Sequence, residues 1–191
     1  MHDHKYIELF VSLLDGDANT IFNSTVEDAV ELLGSGDAEQ LRQLDGQFAL
    51  VHRNGHIVRM ARSIGRPMRY FLAKQIEGPC LIVAERMEEI YDWLKAEGFE
   101  DQFHPSYTRM VPAHHVVEIA LLGCPDPSPT YTRFFTPERN TLSTDLDKIG
   151  YAYIAALQTE IAQWLDRIPS TDPIGVLFSG CLLYTSDAAD E

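Results

Sequence analysis

The residues whose types and spacing could do chemistry fall in two stretches. The later one, Thr171 to Gly180, reads Thr-Asp-Pro-Ile-Gly-Val-Leu-Phe-Ser-Gly: a polar turn, a short apolar strand, then a Ser-Gly loop. A buried strand that delivers small residues to a loop lets backbone N–H groups face phosphate oxygens. Ser179 would add its hydroxyl to such a site, and Gly180 would permit the tight turn. Strands followed by Ser-Gly also occur where nothing is bound, so the pair needs company. A helix should follow, its N-terminus aimed at the same anion, yet the chain continues Cys181-Leu-Leu-Tyr-Thr-Ser-Asp-Ala-Ala-Asp-Glu191. The expectation is a phosphate-binding module that breaks off at its turn.

The earlier stretch runs from Leu44-Asp-Gly-Gln-Phe-Ala-Leu-Val51 to Ala61-Arg-Ser-Ile-Gly-Arg-Pro-Met-Arg-Tyr70. Arg62, at a strand end, could clamp a carboxylate in bidentate fashion. Gly46 could take a φ that other residues resist, and Gly65 and Pro67 would fix the loop. From the residues alone, the same stretch also reads as a hairpin with charged, solvent-facing side chains. The histidines say less. His2 and His4 lie at a terminus, and His114-His115 beside Pro112-Ala113 suit a structural turn, because no carboxylate or cysteine stands at useful local spacing. No serine sits in a GxSxG elbow. Cys80 and Cys124, in or beside apolar strands, read as small buried thiols.

Hydrophobic periodicity indicates which elements would hold these groups. Tyr6 to Leu14 is a strand candidate closed by Asp15-Gly16-Asp17. Thr25 to Leu33 is a short helix that Asn23 or Ser24 could cap, and Asp37 with Gln40 resembles a capping box for the next. Phe48 to His52 and Ile57 to Ala61 form a hairpin across Asn54-Gly55. Tyr70 to Lys74 pairs with Cys80 to Ala84. Glu85 to Ala96 is helical, and Tyr107 to Ile119 and Tyr131 to Phe135 are extended. Consecutive strands with short helices imply an antiparallel α+β layered domain. After the turn-rich segments 125–129 and 136–144, Asp145 to Arg167 carries Leu146, Ile149, Tyr153, Leu157, Ile161, Trp164 and Ile168 in one stripe. A new strand then begins at Ile174.

Composition sets the outer limits. Of 191 residues, 45% are hydrophobic, enough for a real core and the start of a second domain. The formal charge of -14 argues against a nucleic-acid partner. Three scattered cysteines give no disulfide framework or zinc motif. No run approaches the ~20 apolar residues that cross a bilayer, and the polar start is not a secretory signal. A cytoplasmic protein without a membrane partner is expected.

Taken in order, these motifs resemble the asparagine synthetase family and its relatives such as the β-lactam synthetases. In that family L-N-G-M-F-A-F, A-R-D-x-x-G-x-[KR]-P-L-Y and F-A-S-E precede V-L-L-S-G-G-x-D-S. Here they correspond to Leu44–Leu50, a shortened Ala61–Tyr70, Val83-Ala84-Glu85 without the serine, and Val176–Gly180, with Cys181 for the second glycine. Pro112-Ala113-His114 stands where the family often has P-P-G-H. The likeness spans about Gln40 to Gly180.

The resemblance implies an Ntn-hydrolase-like αββα sandwich, a class II glutamine amidotransferase-like domain over residues 1–135. It implies the start of a truncated α/β ATP-pyrophosphatase domain over 136–180, and residues 181–191 resemble adapter-derived sequence foreign to the parent. The parent would be an ATP- and Mg-dependent amide-forming ligase acting on a small carboxylic acid with glutamine or ammonia, and a homodimer is compatible with it. Ser179 and Gly180 would belong to the pyrophosphate loop, and Arg62 would be a substrate or structural clamp. The family nucleophile, a cysteine after the initiator methionine, is His2 here, and the aspartate after the arginine is Ser63. The G-N-G-E-I-Y-N oxyanion segment is absent near Asp15 to Ile21. A silent glutaminase half is therefore expected, with no catalytic residue, no cofactor bound by this chain and neither half-reaction performed by it. Two other classes stay open: a non-catalytic scaffold or peptide-binding domain, and a plain α+β domain.

Overall fold

A computed structural model describes residues 9–73, 80–121, 128–169, 171 and 173–175. The chain divides into two compact units, Met1–Arg139 and Asn140–Glu191. The first is an α+β unit in which runs of consecutive strands are separated by short helices.

Its strands are β1 (Leu9–Ser12), β2 (Thr20–Ile21), β3 (Gly46–Gln47), β4 (Ala49–Asn54), β5 (Ile57–Arg62), β6 (Arg69–Ala73), β7 (Cys80–Ala84), β8 (Arg109–Met110), β9 (His115–Ala120) and β10 (Thr130–Arg133). Its helices are α1 (Val26–Ser35), α2 (Ala38–Leu41) and α3 (Met87–Ala96). One four-stranded sheet runs β1-β7-β6-β8, the other β10-β9-β5-β4, and β2 pairs with β3. All pairings are antiparallel except β1 with β7, which run parallel from Leu9 opposite Cys80 to Ser12 opposite Val83.

Side-chain alternation explains the layering. In β7 every residue is buried, because both sheet faces are covered. Leu81 and Val83 point into a core shared with Val58, Met60, Val117 and Ile119 of the other sheet. Cys80, Ile82 and Ala84 point the other way, onto Ile90 and Leu94 of α3. Across the molecule, Leu50, Ala61 and Val116 meet Ala29 and Leu33 of α1. Three cores thus stack helices, sheet, sheet and helix in four layers. Full burial of a side chain such as Ile82 contributes roughly 1.5–3 kcal/mol, so the central layers hold most of the stabilising area.

Local chemistry sets the boundaries. Thr25, not Asn23 or Ser24, caps α1 by accepting from Asp28 N at 3.0 Å. Asn23 instead ties down the chain before β3, donating to Gln43 O and accepting from Asp45 N. Asp37 caps α2 through Glu39 N, while the Gln40 amide bonds the Asp37 carboxylate and not its backbone. The β4–β5 turn is Gly55-His56, one residue beyond Asn54-Gly55, since Asn54 pairs with Ile57. Gly55, at φ 56, is alone in that turn in taking positive φ, which suits a type II′ hairpin. Gly46 has φ 138, and a Cβ there would strike the Thr20 carbonyl, so only glycine lets β3 approach β2. The extended run expected over Tyr107 to Ile119 is interrupted: a 3-10 turn at Pro105–Tyr107, then β8, then a turn in which His114 takes φ 59.

In the second unit, α4 (Leu146–Leu165) is capped by Asp145, which accepts from Asp147 N and Lys148 N. The expected strand from Ile174 lies mostly outside the described residues, and its described start, Pro173–Gly175, has no regular structure. Among the described residues no helix is long and apolar enough to cross a membrane.

Candidate functional site

The loop from Ser63 to Met68 carries the chain from the end of β5 in one sheet to the start of β6 in the other. Its polar side chains are buried: Arg62, Ser63 and Arg66 are each under 9% exposed. Three buried polar residues at one crossing are unusual in a sandwich whose cores are otherwise apolar.

Arg62 fastens the crossing. Its Nε donates to Val111 O at 2.5 Å, and Nη1 donates to Ser63 O at 3.2 Å and Arg66 O at 3.1 Å. Its Nη2 meets only the thioether of Met110, at 3.3 Å, a weak acceptor on a half-exposed side chain. Its own carbonyl accepts from His114 N at 3.0 Å. Among the described residues Arg62 has no ion pair. Burial, then the nearby Arg69, pulls its pKa below the usual arginine value. It remains a cation held by carbonyl dipoles. Charge-assisted hydrogen bonds of this kind contribute roughly 1.5–3 kcal/mol each.

Ser63 bonds the chain just before β4. Its Oγ accepts from Phe48 N at 2.9 Å, and its own N–H donates to Phe48 O at 2.9 Å. This double contact joins the loop to the start of β4. Close by, Gly65 lies against Gln47, whose side-chain carbon would stand 2.7 Å from an added Cβ.

Arg66 has the most polar surroundings. Its Nη2 donates to Asp15 O at 3.2 Å and forms an ion pair with Glu85 Oε1. Its Nε and Nη1 are buried and have no hydrogen-bond acceptor among the described residues. An unsatisfied buried donor costs about 1–3 kcal/mol, more when charged. Burial lowers the Arg66 pKa, and Asp15 acts against that. Glu85 is held in place because its N–H and that of Arg86 both donate to Glu89 Oε2, at 3.1 Å, at the start of α3.

His114 closes the same end of the sandwich. Its ring packs on Phe134 and Phe135, and its carbonyl accepts from Phe134 N. Burial first, then Arg133, Arg62 and His115, hold it below the ordinary histidine pKa. A positive neighbourhood and a half-apolar pocket both favour the neutral ring.

Of the residues expected to matter, Arg62 lies at the centre of this site, and Ser179 and Gly180 lie outside the described residues. Arg66, Asp15 and Glu85 stand in the turns and motifs of the sequence reading but were not named there as site residues. Their partners are 51 and 19 residues apart in the chain, so no local spacing could reveal them; the one usable signal was a second arginine within a Gly-Pro loop. Cys80 is buried in β7, and burial, with Glu97, pushes its thiol up to about 12. A thiol so protected is not a nucleophile at neutral pH. Among the described residues no group of three or more His, Cys, Asp or Glu is placed to hold a metal ion. No family model matches the chain, and no curated protein matches it.

Proposed function

We propose that this chain is an asparagine-synthetase-like protein whose first unit is a glutaminase-silent amidotransferase-like domain of the Ntn-hydrolase type. The observation that carries this reading is the Ala61–Tyr70 loop, which crosses between two face-to-face sheets with Arg62 buried in it. It is one of the stretches that carry the resemblance, in a shortened form, and it occupies a sheet end flanked by helical layers. In this reading Arg62 is mainly a positioning residue. Three of its contacts are main-chain carbonyls, and a substrate carboxylate could displace only the Met110 thioether from Nη2.

The parent reaction would be carboxylate activation with Mg-ATP. A substrate carboxylate oxygen attacks the α-phosphorus and pyrophosphate leaves; ammonia or another amine then attacks the acyl carbon and AMP leaves. Ser179 and Gly180 would contact the pyrophosphate, following α4 in the chain. A cytoplasmic setting and a homodimeric parent belong to the same proposal. Cys80 would not supply a glutaminase nucleophile, since burial pushes its thiol up to about 12.

Two measurements test this. The purified chain, incubated with glutamine, is expected to form no glutamate, and carboxylate-dependent ATP–pyrophosphate exchange is expected from the parent gene's product. Glutamate formation abolished by Cys80→Ala would refute the silent glutaminase; absence of exchange across a panel of carboxylic acids would refute the ligase. A second reading, a scaffold that recruits a peptide, is favoured by the unsatisfied donors of Arg66 beside two carboxylates.

A further inference from the structure

We infer that the niche around Arg66 binds the free amino end of a peptide, taking the α-ammonium and the first carbonyl oxygen together. The inference deepens the scaffold reading and rests on it.

The fold builds the niche from three directions. β1 and β7 run parallel and in register, and the ladder extends to Leu13 N donating to Val83 O at 2.8 Å. Asp15 and Glu85 therefore leave the same end of one sheet on neighbouring strands. The β5–β6 loop brings Arg66 between them, a residue only 6% exposed. Its Nη2 is spent on the Asp15 carbonyl and the Glu85 carboxylate, while Nε and Nη1 find no acceptor among the described residues. The two carboxylate residues lie further out: Asp15 is exposed, and the Glu85 side chain is 25% exposed.

Charge decides the class of ligand. One guanidinium stands against two carboxylates, so the niche is negative by one unit within a chain of net charge -14. A free anion would satisfy the Arg66 donors but meet Asp15 and Glu85 as like charges. A bare cation would satisfy the carboxylates and leave the buried donors empty. A group that is positive outward and offers a neutral oxygen inward satisfies both demands. An α-ammonium followed by a peptide carbonyl has that pattern, and capture of amino termini by fixed polar groups is a known recognition mode. A free amino acid fits less well, because its carboxylate adds negative charge at the inner end.

The test is calorimetric titration of the whole chain with triglycine amide, its N-acetylated form, glycine and inorganic phosphate. Saturable binding of the amide is expected, with N-acetylation weakening it at least about tenfold, the equivalent of 1.4 kcal/mol. Asp15→Asn, at an exposed position, should weaken the amide several-fold with the circular dichroism spectrum unchanged. Arg66→Lys should abolish it, and a thermal melt would show whether that variant folds. Phosphate binding tighter than the amide, and lost in R66K, would make this an anion site and overturn the inference. No amide binding by the folded chain would also overturn it. Equal binding of the acetylated peptide, indifferent to D15N, would overturn the Arg66 site and leave peptide recruitment standing.

Discussion

Arg62 shows how a single side chain can hold a crossing between sheets. Its planar fork reaches Val111, Ser63 and Arg66 carbonyls on two separate segments. Lysine keeps the charge but has no fork and a single nitrogen at its tip. Arg62→Lys should therefore destabilise the first unit by about 2–4 kcal/mol, read as a lower urea midpoint with an unchanged slope. An effect below about 0.5 kcal/mol, the range of ordinary surface changes, would mean that the carbonyls are satisfied otherwise. His114 sets a pH limit on the same region. Its folded pKa lies below the ordinary 6.5, so the unfolded chain takes up the proton first as pH falls. The contribution is intact above the unfolded value and is lost as pH drops through it toward the lower folded value. Urea midpoints should fall on going from about pH 8 to about pH 5.5, around the histidine range. His114→Asn, which tolerates the positive φ, should flatten that dependence.

At the scale of elements, caps and turns show what the sequence could and could not reveal. Thr25 caps α1 while Asn23 and Ser24, equally good cap formers, do not. The choice is made by Asn23, whose amide is committed to Gln43 and Asp45 across the β2–β3 region. Thr25→Ala should cost about 1 kcal/mol, whereas Ser24→Ala should stay within about 0.5 kcal/mol; thermal melts of the two variants separate them. Reversal of that order would return the cap to Ser24. β7 was legible because burial on both faces gives a continuous apolar run, and β5 because apolar residues dominate its buried positions. The turn at Gly55 slipped by one because Asn-Gly and Gly-His both satisfy a two-residue loop, and only the pairing of Asn54 with Ile57 decides. Within the run from Tyr107 to Ile119 the turn at Pro112-Ala113-His114 was legible, whereas the positive φ of His114, 59, was not, since no glycine announces it. The candidate site was half legible. Arg62 could be named from its place at a strand end, but Arg66 depends on two partners brought near only by the parallel β1–β7 pairing.

Among the described residues, the buried apolar cores lie in the first unit. Every residue of the three cores falls between Phe10 and Phe135, before the division at Arg139. The second unit, taken by itself, offers α4, a 20-residue helix none of whose residues is buried. In proteins most helical stability comes from packing of an apolar face rather than from propensity, so a helix with no buried residue has little to hold it. A chain ended after Arg139 should therefore fold on its own, keep its near-ultraviolet dichroism and unfold in one cooperative step in urea. A peptide covering 140–175 should be mostly unfolded in water and gain helix on adding trifluoroethanol. The contrast matters for function, because Arg62 and Arg66 lie in the first unit, whereas Ser179 and Gly180, proposed to contact pyrophosphate, belong to the second. If the shortened chain binds triglycine amide as the full chain does, recognition is complete in the first unit and needs nothing that follows Arg139. If the shortened chain retains secondary structure but loses fixed tertiary packing, the three cores are not self-sufficient, and the division of labour drawn between the two units fails with them.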